Sequence, residues 1–392
     1  CRITAEGKGF SDGEQHYLPV LPSRENVINT VPFTFTGSGE KTVAMADLFP
    51  KGTADKKLTV EYTANPSWLM IQTLPYISTV DYKNAISLST AYYANALGRY
   101  IMNQSPVIKQ VVNIWKQEPA GSDNSLMSAL QRNQELKTLV LDETPWVMDA
   151  DNEADQKRML TTFFDESAMD YRLASQLKDM KDLQNSDGSW SWWRGMRGSA
   201  CITAQVLQTL ARLNAMAGYQ KATAKMIENG MDYLRTVVMK EFEEMKRMEK
   251  KGQKPMICDY HAIQYLYINT LLGKNPFYDS DYVELKNYLL KYLEADRHRD
   301  IYSKALMAVV LNGDGKAKKA KEYVESIRQY TVTKPGMGTY FDTWHAGYSW
   351  FNYRIPTQTA AIEALKAVDP ADTETINQMR LWLLQSKRTQ AW

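Results

Sequence analysis

A helical hydrophobic period starts near Val80 and persists to the last residues, and it leaves this chain few architectures to fold into. Ile202, Val206, Leu210 and Leu213 form one apolar stripe, with Gly218 placed to end the helix. Tyr282, Leu285 and Leu289 form another, behind Ser280 as its N-cap. Further helices are predicted at about 84–104, 123–140, 155–184, 221–250, 258–272, 298–311, 315–330, 356–367 and 372–386. Amphipathic helices on short links must pack as antiparallel pairs, which close into a solenoid or into a toroid of inner and outer helices.

A weak internal repeat favours the toroid. QNSDGSWSWW (184–193) precedes a helix carrying Thr203 and Ala204, GTYFDTW (338–344) leads to TQTAAIEAL (357–365), and the chain ends in QSKRTQAW. Each copy sets aromatic side chains in a loop between helices, where flat rings can fill the wedge between neighbouring pairs.

The stretch to about Ser78 has a different period. VPFTFT (31–36) and LTVEYT (58–63) alternate with period two, and Gly37-Ser38-Gly39 and Pro50-Lys51-Gly52 separate them. Pro19, Pro22, Pro32 and Pro66 favour edge strands or linkers, so a small sheet is expected here, completed by strands outside this chain.

Charge and motif content exclude several function classes. With 47 basic and 45 acidic side chains, a formal net charge of +2 gives no reason to expect nucleic acid as a partner. No run approaches the roughly 20 apolar residues that span a bilayer, so no membrane contact is expected of this chain. Cys1, Cys201 and Cys258 are too few and too scattered for a disulfide framework or zinc cluster. Cys1 at the lipid-bearing position of a lipoprotein is set aside because RITAEGKGF reads as a strand already under way, and a cut inside a longer protein is preferred. Cys201 and Cys258 each precede an apolar helix and read as buried, inert thiols. His16, His261, His298 and His345 share no metal spacing, and His261, between Tyr260 and Tyr265, reads as a core imidazole rather than a base. There is no phosphate-binding GxxxxGK[ST] loop and no GxSxG elbow. No cofactor and no metal are expected, and the chain reads as a non-enzyme.

Two features invite a sharper reading. Trp190, Trp192, Trp193, Trp344, Tyr348 and Trp350 could line a sugar site beside Asp187 and Asp342, since glycoside hydrolysis needs two carboxyls either about 5 Å or about 6.5–9.5 Å apart. Asp187-Gly188 is also an ordinary turn dipeptide, and loop packing is the preferred role of the aromatics. The basic run Lys240–Lys254 is interleaved with Glu241, Glu243, Glu244 and Glu249, which marks a solvated helix end with local ion pairs.

Four segments resemble the bacterial alpha-2-macroglobulin-like proteins in their C-terminal half. SDGEQHYLPVLPSRE (11–25) and LTVEYTANPSWLMIQTLPY (58–76) look like the approach to that family's thioester domain. DYKNAISLSTAYYANAL (81–97) aligns with the helix that bears the reactive thioester, and LQNSDGSWSWWRG (183–195) with a recurring toroid loop. In the thioester-bearing family that helix opens with Cys, one residue, Glu and Gln, and the Gln side chain acylates the Cys sulfur. Here the four positions read Asn84, Ala85, Ile86 and Ser87, so the ring cannot close there. Neither Cys201 nor Cys258 has Gln three residues on; Ala204 and His261 stand there.

The resemblance implies a mainly α chain: an α/α toroid of the thioester-domain kind over 79–392, incomplete at its C-terminus, preceded by part of a β-sandwich over 1–78. It implies a periplasmic or envelope protein of a Gram-negative bacterium, lipid-anchored through a segment outside this chain, that traps host or competitor proteases. Without a thioester, the confinement would be non-covalent. Proteases are then the expected partners, with other envelope proteins as further ones. A toroid enzyme acting on polysaccharide and a structural partner of envelope proteins are the alternatives.

Overall fold

The period read from Val80 onward becomes a succession of helices in a computed structural model, which describes residues 2–15, 42–52, 70–117, 157–253, 259–273, 277–295, 300–335, 337–347 and 354–386, with isolated positions between. The protein is mainly α-helical. It divides into two compact units, Cys1–Thr59 with Ala129–Asp149, and Val60–Ser128 with Ala150–Trp392.

In the first unit, Arg2–Gly7 (β1) and Phe10–Gln15 (β2) pair antiparallel, with Arg2 opposite Gln15 and Gly7 opposite Phe10. Lys8 and Gly9 turn the chain, and Gly9 holds φ +95°, a conformation that a side chain disfavours. Every residue of this hairpin is exposed. Met45–Leu48 (α1) adds one helical turn. VPFTFT lies outside the described residues, and of LTVEYT only Leu58 and Val60 are described, both exposed.

In the second unit Leu74–Ser78 (α2) is helical, so the β character expected up to Ser78 stops short of it. Pro75 sits in the first turn of α2, where an N–H has no helical partner to lose. There follow Ala85–Gln104 (α3), Pro106–Gln117 (α4), Glu166–Leu183 (α5), Ala200–Ala217 (α6), Ala224–Lys250 (α7), Asp259–Leu272 (α8), Ser280–Ala295 (α9), Ile301–Gly313 (α10), Ala317–Arg328 (α11), Arg354–Val368 (α12) and Thr373–Ser386 (α13). Thr331–Lys334 (β3) and Gly338–Phe341 (β4) form an antiparallel hairpin before α12.

Three expectations need correction. The helix expected over 155–184 is two, because the Asp165 carboxylate accepts the Ala168 N–H at 3.0 Å and so starts a new helix. Helix α4 was not expected; Pro106 lacks the N–H that would continue α3, and its fixed φ suits the first residue of another helix. The cap of α9 is Asp279, whose Oδ1 accepts from Tyr282 N at 3.1 Å, while Ser280 is the first helical residue. The helix expected at 123–140 lies outside the described residues.

The helices of this unit fall into two rows. In one, α3, α6, α8, α10 and α12 each touch the next. In the other, α5 packs on α3, α7 on α6 and α8, α9 on α8, α11 on α10 and α12, and α13 on α12. Burial separates the rows. Every residue of α10 from Ile301 to Leu311 is buried, as expected of a helix enclosed on all sides. By contrast, α11 buries only Ala320, Tyr323, Val324 and Ile327, one stripe at helical spacing. The first row is therefore central and the second flanks it.

Enclosure forces polar groups to find partners. The Lys286 side chain is 2% exposed and pairs with Asp314, whose Oδ1 also accepts from the Tyr278 hydroxyl at 2.6 Å. Burial disfavours the Asp314 carboxylate, but the bonds from Lys286 and Tyr278 outweigh it and lower its pKa. Removing one partner of such a pair strands a buried charge. Asp314→Asn should cost about 3–5 kcal/mol in urea unfolding at pH 7, while the double change to Lys286→Met and Asp314→Asn should recover about half or more of that loss.

Candidate functional site

The start of α3 carries the four residues aligned with the reactive thioester, and all of them are engaged in folding. Asn84 is the N-cap: its Oδ1 accepts from Ser87 N at 2.8 Å, and its Nδ2 donates to Ser87 Oγ at 2.9 Å. This reciprocal pairing satisfies a first-turn N–H that the helix itself leaves open. Ala85 is buried, and its N–H donates to the Trp192 carbonyl at 3.3 Å. The structure thus joins two segments singled out from the sequence, the degenerate motif and the tryptophan loop. Ile86 packs against the core.

The tryptophan loop and the later aromatic loop are built alike. Gly188 holds φ +87°, and a Cβ there would meet the Asn229 carbonyl oxygen of α7 at 2.1 Å; Gly338 holds φ +84°, and its Cβ would meet the Gln378 oxygen of α13 at 2.2 Å. A glutamine then locks each loop to its flanking helix. Gln184 Nε2 donates to the Gly188 and Met226 carbonyls, and Gln358 Nε2 to the Thr339 and Met379 carbonyls. A threonine of the following helix completes each: Thr203 Oγ1 accepts from Trp190 N at 2.8 Å, and Thr357 Oγ1 donates to the Ala346 carbonyl at 2.8 Å.

The aromatics divide by burial. Trp190 is fully buried, packs toward Gly230 and Leu207, and its Nε1 donates to the Met180 carbonyl at 3.0 Å. Tyr340 stacks on Trp382 in the second loop, ring centroids 5.7 Å apart. Trp192 is half-buried against the core, whereas Trp193 and Trp344 are 41% and 58% exposed. Tyr348 and Trp350 lie outside the described residues. Asp187 closes a turn, its Oδ1 accepting from Ser189 N at 3.0 Å and from Ser189 Oγ at 2.6 Å, and Asp342 is exposed beyond β4. Trp190→Ala should cost about 3–5 kcal/mol in urea unfolding, whereas Trp193→Ala should change stability by less than about 1 kcal/mol.

A third group of residues was not expected to act together. Cys201, Gln205, Gln208 and Arg212 make a polar stripe on α6, facing His261, Gln264 and Tyr267 on α8. Gln205 Nε2 donates to the Tyr260 hydroxyl at 2.8 Å, and Gln264 Nε2 to the Tyr302 hydroxyl at 3.2 Å. With its amide oriented to satisfy both ends, Gln208 donates to Gln264 Oε1 at 2.9 Å and accepts from Arg212. Arg212 Nε donates to the Tyr267 hydroxyl, and its Nη2 to Glu363 Oε2 of α12, both at 3.1 Å. Burial disfavours the Arg212 charge, but the neighbouring Tyr267 and Glu363 outweigh it and hold its pKa above the ordinary value. Tyr260 is partly buried against the core, and burial raises its pKa.

At the other end of the stripe, Cys201 Sγ lies 3.4 Å from His261 Nε2, and His261 Nδ1 lies 3.1 Å from Glu241 Oε1 of α7. The reading of Cys201 as a buried thiol is corrected here, while His261 is a hydrogen-bonded imidazole as expected, with a thiol and a carboxylate as its partners. Cys201 is partly exposed, and the His261 and Glu241 side chains are 16% and 31% exposed, so solvent reaches the group. Bonds to Cys201 and then Glu241 raise the His261 pKa to about 9 against the opposing effect of burial. Two bases of the Lys240–Lys254 run are paired, Lys246 with Glu243 and with Glu284 of α9, and Arg247 with Glu244. His345 is buried, its ring against Trp344 and Tyr330. His16, His298, Cys1 and Cys258 lie outside the described residues.

No family model matches this chain, and no curated protein matches it. Among the described residues, no helix is long and apolar enough to cross a membrane, and no group of three or more His, Cys, Asp or Glu side chains could hold a metal ion. His261 uses its two ring nitrogens on two different partners, one a thiol and one a carboxylate.

A His whose pKa is raised on folding stabilises the fold fully below its unfolded value of about 6.5, and that contribution fades as pH rises through about 9. The stability difference between wild type and His261→Gln, measured by urea unfolding, should therefore be largest near pH 6 and should shrink by about 1 kcal/mol or more by pH 10.

Proposed function

We propose that this chain is the helical module of an alpha-2-macroglobulin-like envelope protein that confines proteases without a covalent bond. The observation that carries this reading is the start of α3, where Asn84 and Ser87 bond to each other and Ala85 to the tryptophan loop. A position that resembles a reactive ring serves as a helix cap, which suits a scaffold kept for its shape after its chemistry is lost.

The α/α toroid is part of the same proposal. Its support is the double row of helices and the meeting of α6, α8 and α12 in the Arg212, Tyr267 and Glu363 cluster. Tyr93 of α3 lies near enough to feel both the Arg212 and Glu363 charges, although burial is the main cause of its raised pKa. In a toroid, inner helices converge in this way on a shared centre. The β-sandwich, the periplasmic location and the lipid anchor rest on the resemblance alone.

The test mixes the whole parent protein with an endopeptidase and follows cleavage of a protein substrate and of a small chromogenic peptide. Cleavage of the large substrate should fall at least tenfold while the small one is still cut, and denaturing gels should show no protein–protease conjugate. Unchanged cleavage of the large substrate, or a conjugate that survives denaturation, would sink the proposal.

A further inference from the structure

Among the described residues, the alignment of Cys201, His261 and Glu241 has no part in the trapping proposal and does not depend on it. Three features give it chemical meaning. The sulfur, the imidazole and the carboxylate stand in line, each within hydrogen-bond reach of the next, at 3.4 Å and 3.1 Å. That is the arrangement in which a base activates a nucleophile while a third group orients the base. Glu241 Oε2 is buried with no hydrogen-bond partner among the described residues, so its carboxylate has only His261 to face through Oε1.

Next, Cys201 is the second residue of α6. Ser199 caps that helix by accepting from Ile202 N, which leaves the N–H groups of Ala200 and Cys201 at the first turn with no helical carbonyl to bond. One of them belongs to Cys201 itself, and an oxyanion formed on a carbonyl attacked by its sulfur would need donors of this kind. Finally, the loop that leads into α6 and Cys201 carries two exposed apolar side chains, Trp193 and Met196. The groups that act on His261 are Cys201 and Glu241, and Tyr260 of α8, which lies near Cys201, also feels Tyr302 and Asp300 from the α10 side.

We propose that Cys201 is a nucleophile for acyl transfer, served by His261 as proton carrier and by Glu241 as the residue that orients it, acting on an ester with an apolar or aromatic group. In the reactive form the pair carries one proton, which Nε2 holds as Sγ attacks. Sγ adds to the acyl carbon, the ester C–O bond breaks, and Nε2 gives its proton to the departing alcohol oxygen. His261 then takes a proton from water, the oxygen of that water adds to the acyl carbon, and Sγ leaves as the thiolate with Nε2 protonated again. Ester and water become acid and alcohol, and nothing is oxidised or reduced.

Two measurements on the full chain test this. Alkylation by iodoacetamide, mapped by peptide mass spectrometry to separate Cys201 from Cys1 and Cys258, should run at least tenfold faster on Cys201 at pH 6 in wild type than in His261→Gln, with the two converging by pH 9. Glu241→Gln should fall between them. With p-nitrophenyl acetate, a burst of about one nitrophenolate per chain should accompany an acetyl group on Cys201, and Cys201→Ala should remove both while urea unfolding shows it folded. If Cys201 alkylates with the same pH profile in wild type and His261→Gln, or if p-nitrophenyl acetate leaves no acetyl group on Cys201, the proposal is overturned. The protease-confinement assay is read separately, so either idea can fail without the other.

Discussion

Where a helix is enclosed by other helices, its polar side chains must find partners among them, and this constraint organises the buried middle of the central row, where Gln208, Gln264 and Tyr302 lie. Buried Gln208 on α6 and Gln264 on α8 bond to each other and to Tyr302 on α10, and the half-buried Gln205 and Arg212 carry the seam outward to Tyr260, Tyr267 and Glu363. Each such bond adds little net stability, but leaving one end unmade costs about 1–3 kcal/mol. The polar seam therefore specifies which helices stand together and in what register more than it adds to the total stability. A second buried set does the same at the other side: Asn95 Nδ2 and Gln176 Nε2 both donate to the Ser78 carbonyl, fastening α2 to α3 and α5.

The loops between helix pairs follow a related logic with backbone in place of side chains. Gly188 and Gly338 sit where another backbone passes so close that no side chain fits, and each also holds a positive φ. Once these contacts are made, Trp190 and Tyr340 have one place to go. The Trp192 carbonyl then meets Ala85 N, so the start of α3 is set by the same loop that starts α6.

Much of the helical architecture was legible because apolar stripes report burial directly. Gly218 ends α6 with φ +84° as its sequence position suggested, and α7, α8, α11, α12 and α13 fall within a few residues of the expected spans. Breaks were harder to see. Asp165 and Pro106 split or start helices through single side-chain and ring effects that a periodic pattern runs across. The polar stripe was visible in principle, since Cys201, Gln205, Gln208 and Arg212 recur at helical spacing on an otherwise apolar helix, a mismatch that a buried helix must resolve.

By itself, the amino-acid order determined where helices form, which residues are apolar enough to be enclosed, and that no thiol or glutamine stands at the position resembling the reactive ring. Those are properties of near neighbours along the chain, within a turn or two of helix. Only the tertiary structure decided that Cys201, Glu241 and His261, drawn from three helices, share one line, and that Asn84 and Ser87 close on each other beside Trp192. Such meetings depend on the angles and offsets at which whole helices pack, and those are settled by the sum of many side-chain contacts.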